Sequence, residues 1–355
     1  GDHWKGEVER PQIPPVVMVP QKQTGVGESG LWRYDWINRK YITEKKDFPQ
    51  TKCFDLGCEF IEKNKDADNW LLHLETFDPH EPFYVPQEYL DKYPEEYDGK
   101  HFDWPRGPLE QSDGEVAHCR RQYKALVSMC DDSLGRILDL MDRYDMWKDT
   151  MLIVGTDHGF MLAEHEYWGK NQMPYYNENA NTPLFIWDPR SKAAGERRSS
   201  LVQMIDWAPT ILSYFGLEIP RDMQGKDLKE TIRNDEPVRE YGLYGVFSGH
   251  VNITDGKVTY MRAPLPEKAD EIYNYTLMPL HMNKRFTVKE MQTAILEEPF
   301  SFTKNCKVLK IKGKDKYKVG RFGTRLYDVE KDPKQLHPLA DKELEERMIQ
   351  ALVRE

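Results

Sequence analysis

Asp157 and His158 stand directly after the apolar run Met151-Leu152-Ile153-Val154-Gly155-Thr156, with Gly159 behind them. A carboxylate beside an imidazole suits a divalent cation, the imidazole moving the preference slightly away from pure oxygen sites, and glycine allows the chain a sharp exit. The plain alternative is an aspartate capping a helix with an exposed histidine beside it. A second position with chemistry is His80, inside Thr76-Phe77-Asp78-Pro79-His80-Glu81-Pro82-Phe83. Two prolines there forbid regular pairing and hold the imidazole in a stiffened loop; a turn-capping histidine is the simpler reading.

The elements that must position these groups follow from periodicity. Met151 to Thr156 is a near-continuous apolar run of strand length, as expected of a parallel strand covered on both faces, and Pro183 to Trp187 reads as a second. In open α/β sheets ligands gather at the carboxyl ends of strands, where Asp157 and His158 fall. Val116, Cys119, Tyr123, Leu126, Cys130, Leu134, Ile137 and Met141 step by three and four, predicting the longest helix of the chain. Phe54, Gly57, Cys58 and Ile61 predict a shorter helix leading to a buried strand, Trp70 to Glu75. A further helix is expected to hold Leu201, Met204, Ile205, Ala208, Ile211, Leu212 and Phe215, stopped by Gly216. Gly1 to about Asp47 is rich in Pro, Gly, Lys and Trp and reads as irregular structure wrapped over another part. Beyond about Glu236, short β-like runs at Tyr241 to Phe247, Val258 to Arg262, Val308 to Ile311 and Arg325 to Asp328 predict a small antiparallel subdomain. The fold class is thus α/β, a mostly parallel central sheet flanked by helices over 1–235, followed by an α+β subdomain over 236–355.

The 355 residues are 39% hydrophobic, enough for a substantial core. The net charge of −10 comes from interspersed acids and bases, which argues against nucleic acid as a partner. The five cysteines are odd in number and widely spaced, with no disulfide framework or CxxC zinc site. No run approaches the roughly 18 apolar residues of a membrane span, and the first residues form no secretion signal. The compartment, periplasmic, secreted or cytoplasmic, stays open, as does the oligomeric state.

Asp157-His158-Gly159, then Ala163-Glu164-His165, then Trp168-Gly169-Lys170 resembles the sulfatase pattern of Asp-His/Asn-Gly, Gly-Glu-His and Trp-Gly-Lys. Phe77 to Phe83 is similar to that family's histidine loop, Met204 to Leu212 to its helix before the C-terminal region, and Val251 to Lys257 to a subdomain hairpin. Leu326-Tyr327-Asp328 with Asp332-Pro333 resembles its late strand and turn, so the ordered matches cover about Phe48 to Ala340. The resemblance is to the sulfatase branch of the alkaline-phosphatase superfamily. It implies a sulfuric-ester hydrolase acting on a small-molecule or glycan sulfate ester. It implies Asp157 and His158 as metal ligands and Lys170 as the cation meeting a sulfate oxygen, where a surface lysine would be the plain alternative. It implies His80 as a sulfate-binding or leaving-group-protonating histidine, and places His165 either at the pocket or in support of its loop. The expected ion is Ca²⁺, with Mn²⁺ or Mg²⁺ as alternatives. A metal and a fixed ammonium stabilise the charge that a breaking tetrahedral ester accumulates, and an imidazole can protonate a poor alkoxide leaving group.

The chain departs from the family in two places. No Cys or Ser stands in Cys/Ser-x-Pro-x-Arg, the source of the formylglycine nucleophile, and no Asp-Asp pair ends an early strand. Asp131-Asp132 lies within the long helix and reads as a solvated face. Two ligands cannot close a shell of about six. The expectation is therefore that sequence upstream of Gly1 supplies the nucleophile and the missing acids, and that this chain alone is inactive. A degenerate, non-catalytic relative is the alternative within that idea. Two other readings remain: a phosphonate monoester or phosphodiester hydrolase of the same superfamily, for which His158 in place of Asn argues, and a non-catalytic anion- or carbohydrate-binding fragment. Tyr167, Trp168, Tyr175, Tyr176 and His250 are candidate pocket walls, and Phe102, Trp104 and Arg106 a candidate lid.

Overall fold

The computed structural model describes residues 31–278, 280, 281, 284–315 and 318–355. Strands are numbered along the chain: β1 (Gly107–Pro108), β2 (Leu152–Gly155), β3 (Met161–Leu162), β4 (Tyr167–Gly169), β5 (Leu184–Trp187), β6 (Gly242–Gly245), β7 (Val251–Thr254), β8 (Val258–Arg262), β9 (Tyr273–Thr276), β10 (Ile295–Glu297), β11 (Val308–Lys312) and β12 (Arg325–Asp328). The chain divides into two compact units, Gly1–Thr150 with Met161–Gly169, and Met151–Phe160 with Lys170–Glu355. Among the described residues no helix is long and apolar enough to cross a membrane. The five cysteines are free thiols.

The first unit is built on the helix Asp113–Arg143, which the three-and-four stepping anticipates. Ser112 accepts from the Glu115 amide while the Glu115 carboxylate takes the Ser112 amide, so two of the helix's otherwise unpaired N–H groups are satisfied where it begins. Its buried stripe of Val116, Cys119, Leu126, Met129, Ile137 and Met141 forms much of the core. The helix Pro49–Asn64 starts on a proline, whose missing N–H costs nothing there, and packs against the long helix. A three-stranded antiparallel sheet of order β1-β4-β3 buries Trp168, whose ring meets Phe102 edge-on at 5.8 Å. Phe102 is core, not lid.

Two expectations for this unit are corrected. The irregular stretch expected over Gly1 to Asp47 falls partly on residues 1–30, outside the described residues; from there Leu31–Arg39 is an α-helix, held by Arg39 Nε donating to Asp35 at 2.7 Å one turn away. Trp70 to Glu75 joins no sheet among the described residues. Its side chains alternate between half-buried and exposed, and Leu74 lies against Gly57 of the neighbouring helix, so the alternation is real but no strand lies alongside to complete a ladder. Asp132 is also more than a solvated face: it takes the Tyr89 hydroxyl at 2.6 Å and pairs with Lys45.

In the second unit β2 pairs with β5, and the pairing is antiparallel, Leu152 opposite Trp187 and Gly155 opposite Leu184. The mixed helices and strands are those expected of the α/β class, while all strand pairings among the described residues are antiparallel and none is the parallel pairing expected of Met151 to Thr156. An apolar run reports burial, not direction, and β2 is only half-buried. The helix expected from Leu201 begins later, as a 3₁₀ turn at Met204–Asp206 continued by the α-helix Trp207–Tyr214. It ends at Gly216, whose φ of +67° is open to glycine at little cost. Of the expected C-terminal strands, those at Tyr241, Val258 and Arg325 lie with β7 in a sheet of order β12-β8-β7-β6, whereas Val308 to Ile311 falls in β11 of another sheet. Tyr241, Ile253, Tyr260 and Leu326 of this region pack with Met348 and Ala351 of the helix Lys342–Arg354. Full burial of one such side chain, Met348, stabilises by about 1.5–3 kcal/mol. A separate sheet has order β10-β11-β9.

Candidate functional site

Asp157 and His158 follow β2 in the second unit, and local hydrogen bonds set the carboxylate and the imidazole ring. His158 Nδ1 lies 2.9 Å from the Gly159 carbonyl. A carbonyl can only accept, so Nδ1 carries the proton and a neutral ring keeps its lone pair on Nε2. The Asp157 Oδ1 takes the His158 amide at 2.9 Å and the Thr156 hydroxyl at 3.4 Å, which turns Oδ2 toward His158. Nε2 and Oδ2 are 3.4 Å apart. Two donors holding one cation at right angles with bonds of about 2.4 Å take up such a separation. The Asp157 side chain is 72% exposed, so its carboxylate is open to a ligand.

Glycines fix the loop around this pair. Gly159 donates to the Asn179 carbonyl at 2.9 Å, and a Cβ built on it would come within 1.8 Å of the Glu178 carbonyl oxygen. Gly155 lies against Trp207, whose ring would be 2.6 Å from an added Cβ. Trp207 opens the helix Trp207–Tyr214, so the family-like stretch Met204 to Leu212 packs under the strand that presents Asp157. That stretch is itself anchored by Asp206, fully buried, which accepts from the Gln203 amide at 2.7 Å and the Lys226 amide at 2.8 Å and pairs with Arg239.

Lys170 is in the same unit, half-buried, its Nζ 5.7 Å from the centre of the Phe160 ring. Tyr175 is also there, its phenol pushed up by burial and then by the Asp157 charge. Among the described residues no three His, Cys, Asp or Glu side chains converge on one point. Asp157 and His158 therefore fit a divalent cation as two members of a larger donor set.

His80 and His165 belong to the first unit. His80 Nδ1 is 2.5 Å from the Glu81 carbonyl and 3.2 Å from its carboxylate, and Phe77 packs on the ring at 4.3 Å. Asp78, two residues earlier, is pushed up to about 7 by burial. A buried acid beside a histidine loop was not singled out from the sequence; its position between Phe77 and Pro79 is the only signal. His165 is part of a strained turn in which Ala163, His165 and Glu166 have φ of 78°, 50° and 59°. Arg120 secures this turn, donating to the Leu162 carbonyl at 2.7 Å and to Glu164 at 3.2 Å, a tie between residues 42 and 44 positions apart that no periodicity marks. Of the candidate walls, Trp168, Tyr176 and His250 are buried. Trp168 donates to Gln111 and His250 bonds the Gly323 carbonyl, so these serve packing.

A profile of the sulfatase family matches residues 25–217, more than half of the chain. The chain is 30% identical over 154 residues to N-acetylglucosamine-6-O-sulfatase of Bacteroides thetaiotaomicron, an alignment covering 42% of this chain and 27% of that one. It is 25% identical over 251 residues to an arylsulfatase of Clostridium perfringens, covering 63% of this chain and 51% of the relative. The match thus spans about a quarter to a half of those relatives' length. A solved structure in complex with its substrate D-glucosamine-2-N,6-O-disulfate superposes with a TM-score of 0.59 at 16% identity, covering 86% of this chain and 68% of that one. The phosphonate monoester hydrolase of Agrobacterium radiobacter does so with a TM-score of 0.57 at 19% identity, covering 88% and 60%. At these identities the likeness is one of fold.

Proposed function

The chain belongs to the sulfatase family, and from that premise we propose that it is the downstream part of a sulfuric-ester hydrolase acting on a sulfated sugar. The observation that carries this reading is the Asp157 and His158 pair, with Oδ2 and Nε2 3.4 Å apart and the ring tautomer set by the Gly159 carbonyl. These two residues would hold a divalent cation, Ca²⁺ by the family's habit, together with ligands outside the 355 residues. When bound, the ion draws charge from the sulfate oxygens. Lys170 adds a fixed positive charge to the same anion. His80, with its Nδ1 on Glu81, gives a proton from Nε2 to the departing alkoxide. Its loop keeps the ring in one orientation, so the proton is delivered without reorganisation. His165 supports the turn through which the Trp168-Gly169-Lys170 segment is reached. No Cys or Ser here stands in the formylglycine pattern, so we assign the nucleophile to sequence outside this chain. One relative, named as an N-acetylglucosamine-6-O-sulfatase, supports a sulfated amino sugar as the substrate class.

A second reading, hydrolysis of phosphonate monoesters or phosphodiesters, has His158 in its favour, since an imidazole in place of an amide suits Mn²⁺. The test is a panel of matched sulfate and phosphate esters offered to the polypeptide that includes this chain and its nucleophile segment. Sulfate turnover well above phosphodiester turnover, lost on chelation, is expected. The reverse order would overturn the first reading.

A further inference from the structure

Lys304 to Lys318 contains seven lysines and one acid, in a chain whose net charge is −10. This segment carries β11, the central strand of the β10-β11-β9 sheet in the second unit. The register sets Ile295 opposite Lys310 and Lys310 opposite Tyr275, so the three share one face. Lys310 Nζ lies 4.6 Å from the centre of the Tyr273 ring and 5.8 Å from that of Tyr275. Phe300 meets Tyr275 edge-on at 5.3 Å and stacks with Phe302 at 5.5 Å. These rings are not sealed in a core: Tyr275 is 46% exposed, Phe300 38% and Phe302 52%. The result is a shelf of flat apolar rings bordered by ammonium groups.

We propose that this shelf docks an extended anionic glycan. Sugar rings lay their C–H faces on Tyr275 and Phe302, and sulfate or carboxylate groups meet Lys310 and Lys312, which the register sets opposite Tyr275 and Tyr273 on the same face. The inference rests on the proposed sulfated-sugar reading and extends it, from an ester at the Asp157 site to a polymer held elsewhere on the same unit. Charge complementarity favours the glycan. Lys310 pairs with Glu297 at 2.9 Å, a surface pair that an anionic polymer can exchange at little loss. Glu297 and Glu298 also oppose a bilayer, which would have to desolvate them, whereas a sugar hydroxyl can donate to them. Aromatic rings beside cations suit a ligand whose units alternate between apolar ring faces and anions.

The test titrates the 355-residue chain with chondroitin sulfate, with the same polymer chemically desulfated and reduced at its carboxylates, and with phosphatidylserine/phosphatidylcholine vesicles. Binding to the sulfated polymer alone is expected. Phe302→Ala and Lys312→Glu should each weaken it about tenfold, the loss of one well-packed contact. Both changes are at exposed positions, and Phe302→Tyr should keep the affinity, which separates a lost ring from a lost fold. Equal binding of the uncharged polymer, binding unchanged by Phe302→Ala, or a preference for vesicles would each overturn the proposal. The readout is binding without turnover. A protein that binds the polymer but cleaves no sulfate ester loses only the catalytic reading, and one that cleaves a monosaccharide sulfate but ignores the polymer loses only this inference.

Discussion

His101 Nδ1 lies 3.1 Å from His118 Nε2, inside a chain of hydrogen bonds that runs from Glu95 through both rings to Asp103. Counting protons explains the arrangement. His118 Nδ1 faces Glu95 at 2.9 Å and His101 Nε2 faces Asp103 at 3.0 Å, so both nitrogens carry protons, and the contact between the rings needs one more. Two imidazoles with three protons bear a single positive charge. Arg39 and Arg121 balance the acids, at 2.7 Å from Asp103 and 2.8 Å from Glu95, and Tyr97 stacks on His118. Burial opposes the Asp103 charge, yet Arg39 and His101 hold its carboxyl well below the usual range.

The first prediction concerns a fourth proton on this pair. Burial lowers the His118 pKa from 6.5, against the pull of Glu95. A group depressed in the folded state contributes stability above its unfolded value, and that stability is lost as pH falls through the folded one. Urea denaturation midpoints measured from pH 8 to pH 5 should therefore fall below about pH 6.5. His118→Gln, which cannot titrate, should flatten that part of the profile while lowering stability at pH 8. An unchanged slope would refute the assignment.

Asp78 has the opposite sign. Its pKa is raised to about 7 by burial, so the neutral acid is the form the fold accepts. The stability it contributes is complete below the unfolded value of 3.8 and is lost as pH rises through about 7. Asp78→Asn keeps the shape and removes the ionisation. The variant should match the parent only below the unfolded value of 3.8 and exceed it at higher pH in urea denaturation, with the difference growing up to about pH 7 and levelling off above it.

Gly159 tests how tightly the loop holding Asp157 and His158 is packed. A methyl group there would meet the Glu178 carbonyl oxygen at 1.8 Å, and both partners are backbone, so something must move. Overpacking of this kind costs about 1–3 kcal/mol. Gly159→Ala should lower stability by that amount in urea and weaken Ca²⁺ affinity in the complete polypeptide, since the Gly159 carbonyl also sets the His158 tautomer. Gly114→Ala, where an added Cβ has only ordinary contacts with Tyr97, is the control and should do neither.

Periodic features could be read from the chain before folding was known. The Asp113–Arg143 helix has a stripe long enough for stepping by three and four to be unmistakable, and the C-terminal runs at Val258 and Arg325 alternate as strands must. Gly159 is needed for the close approach of the Glu178 carbonyl and not for a left-handed turn, since its φ is not positive. What could not be read depends on residues far apart. The direction of β2 is decided by β5, 32 positions along from Leu152 to Leu184, and an apolar run carries no sign of it. Trp70 to Glu75 has the right alternation, but a strand is a pairing and not a pattern. The Arg39 to Asp103 bond and the Arg120 tie to the His165 turn join distant polar residues whose types are ordinary on any surface.

The last prediction concerns Asp206, which ties three segments together. It is fully buried, receives backbone N–H groups from Gln203 and Lys226, and pairs with Arg239, itself nearly buried. Removing one partner leaves the other charge desolvated and two amides unpaired, a loss of about 3–5 kcal/mol. Asp206→Ala should lower stability by that amount in urea denaturation. Asp206→Asn should lose less, because its carbonyl can still accept an amide. Replacing both partners separates charge from packing: Asp206→Asn with Arg239→Met removes the orphaned guanidinium and should recover part of the loss. If the double variant were no more stable than Asp206→Asn, the ion pair would not be what anchors the Met204 to Leu212 stretch beneath Gly155, and the backbone bonds alone would hold it.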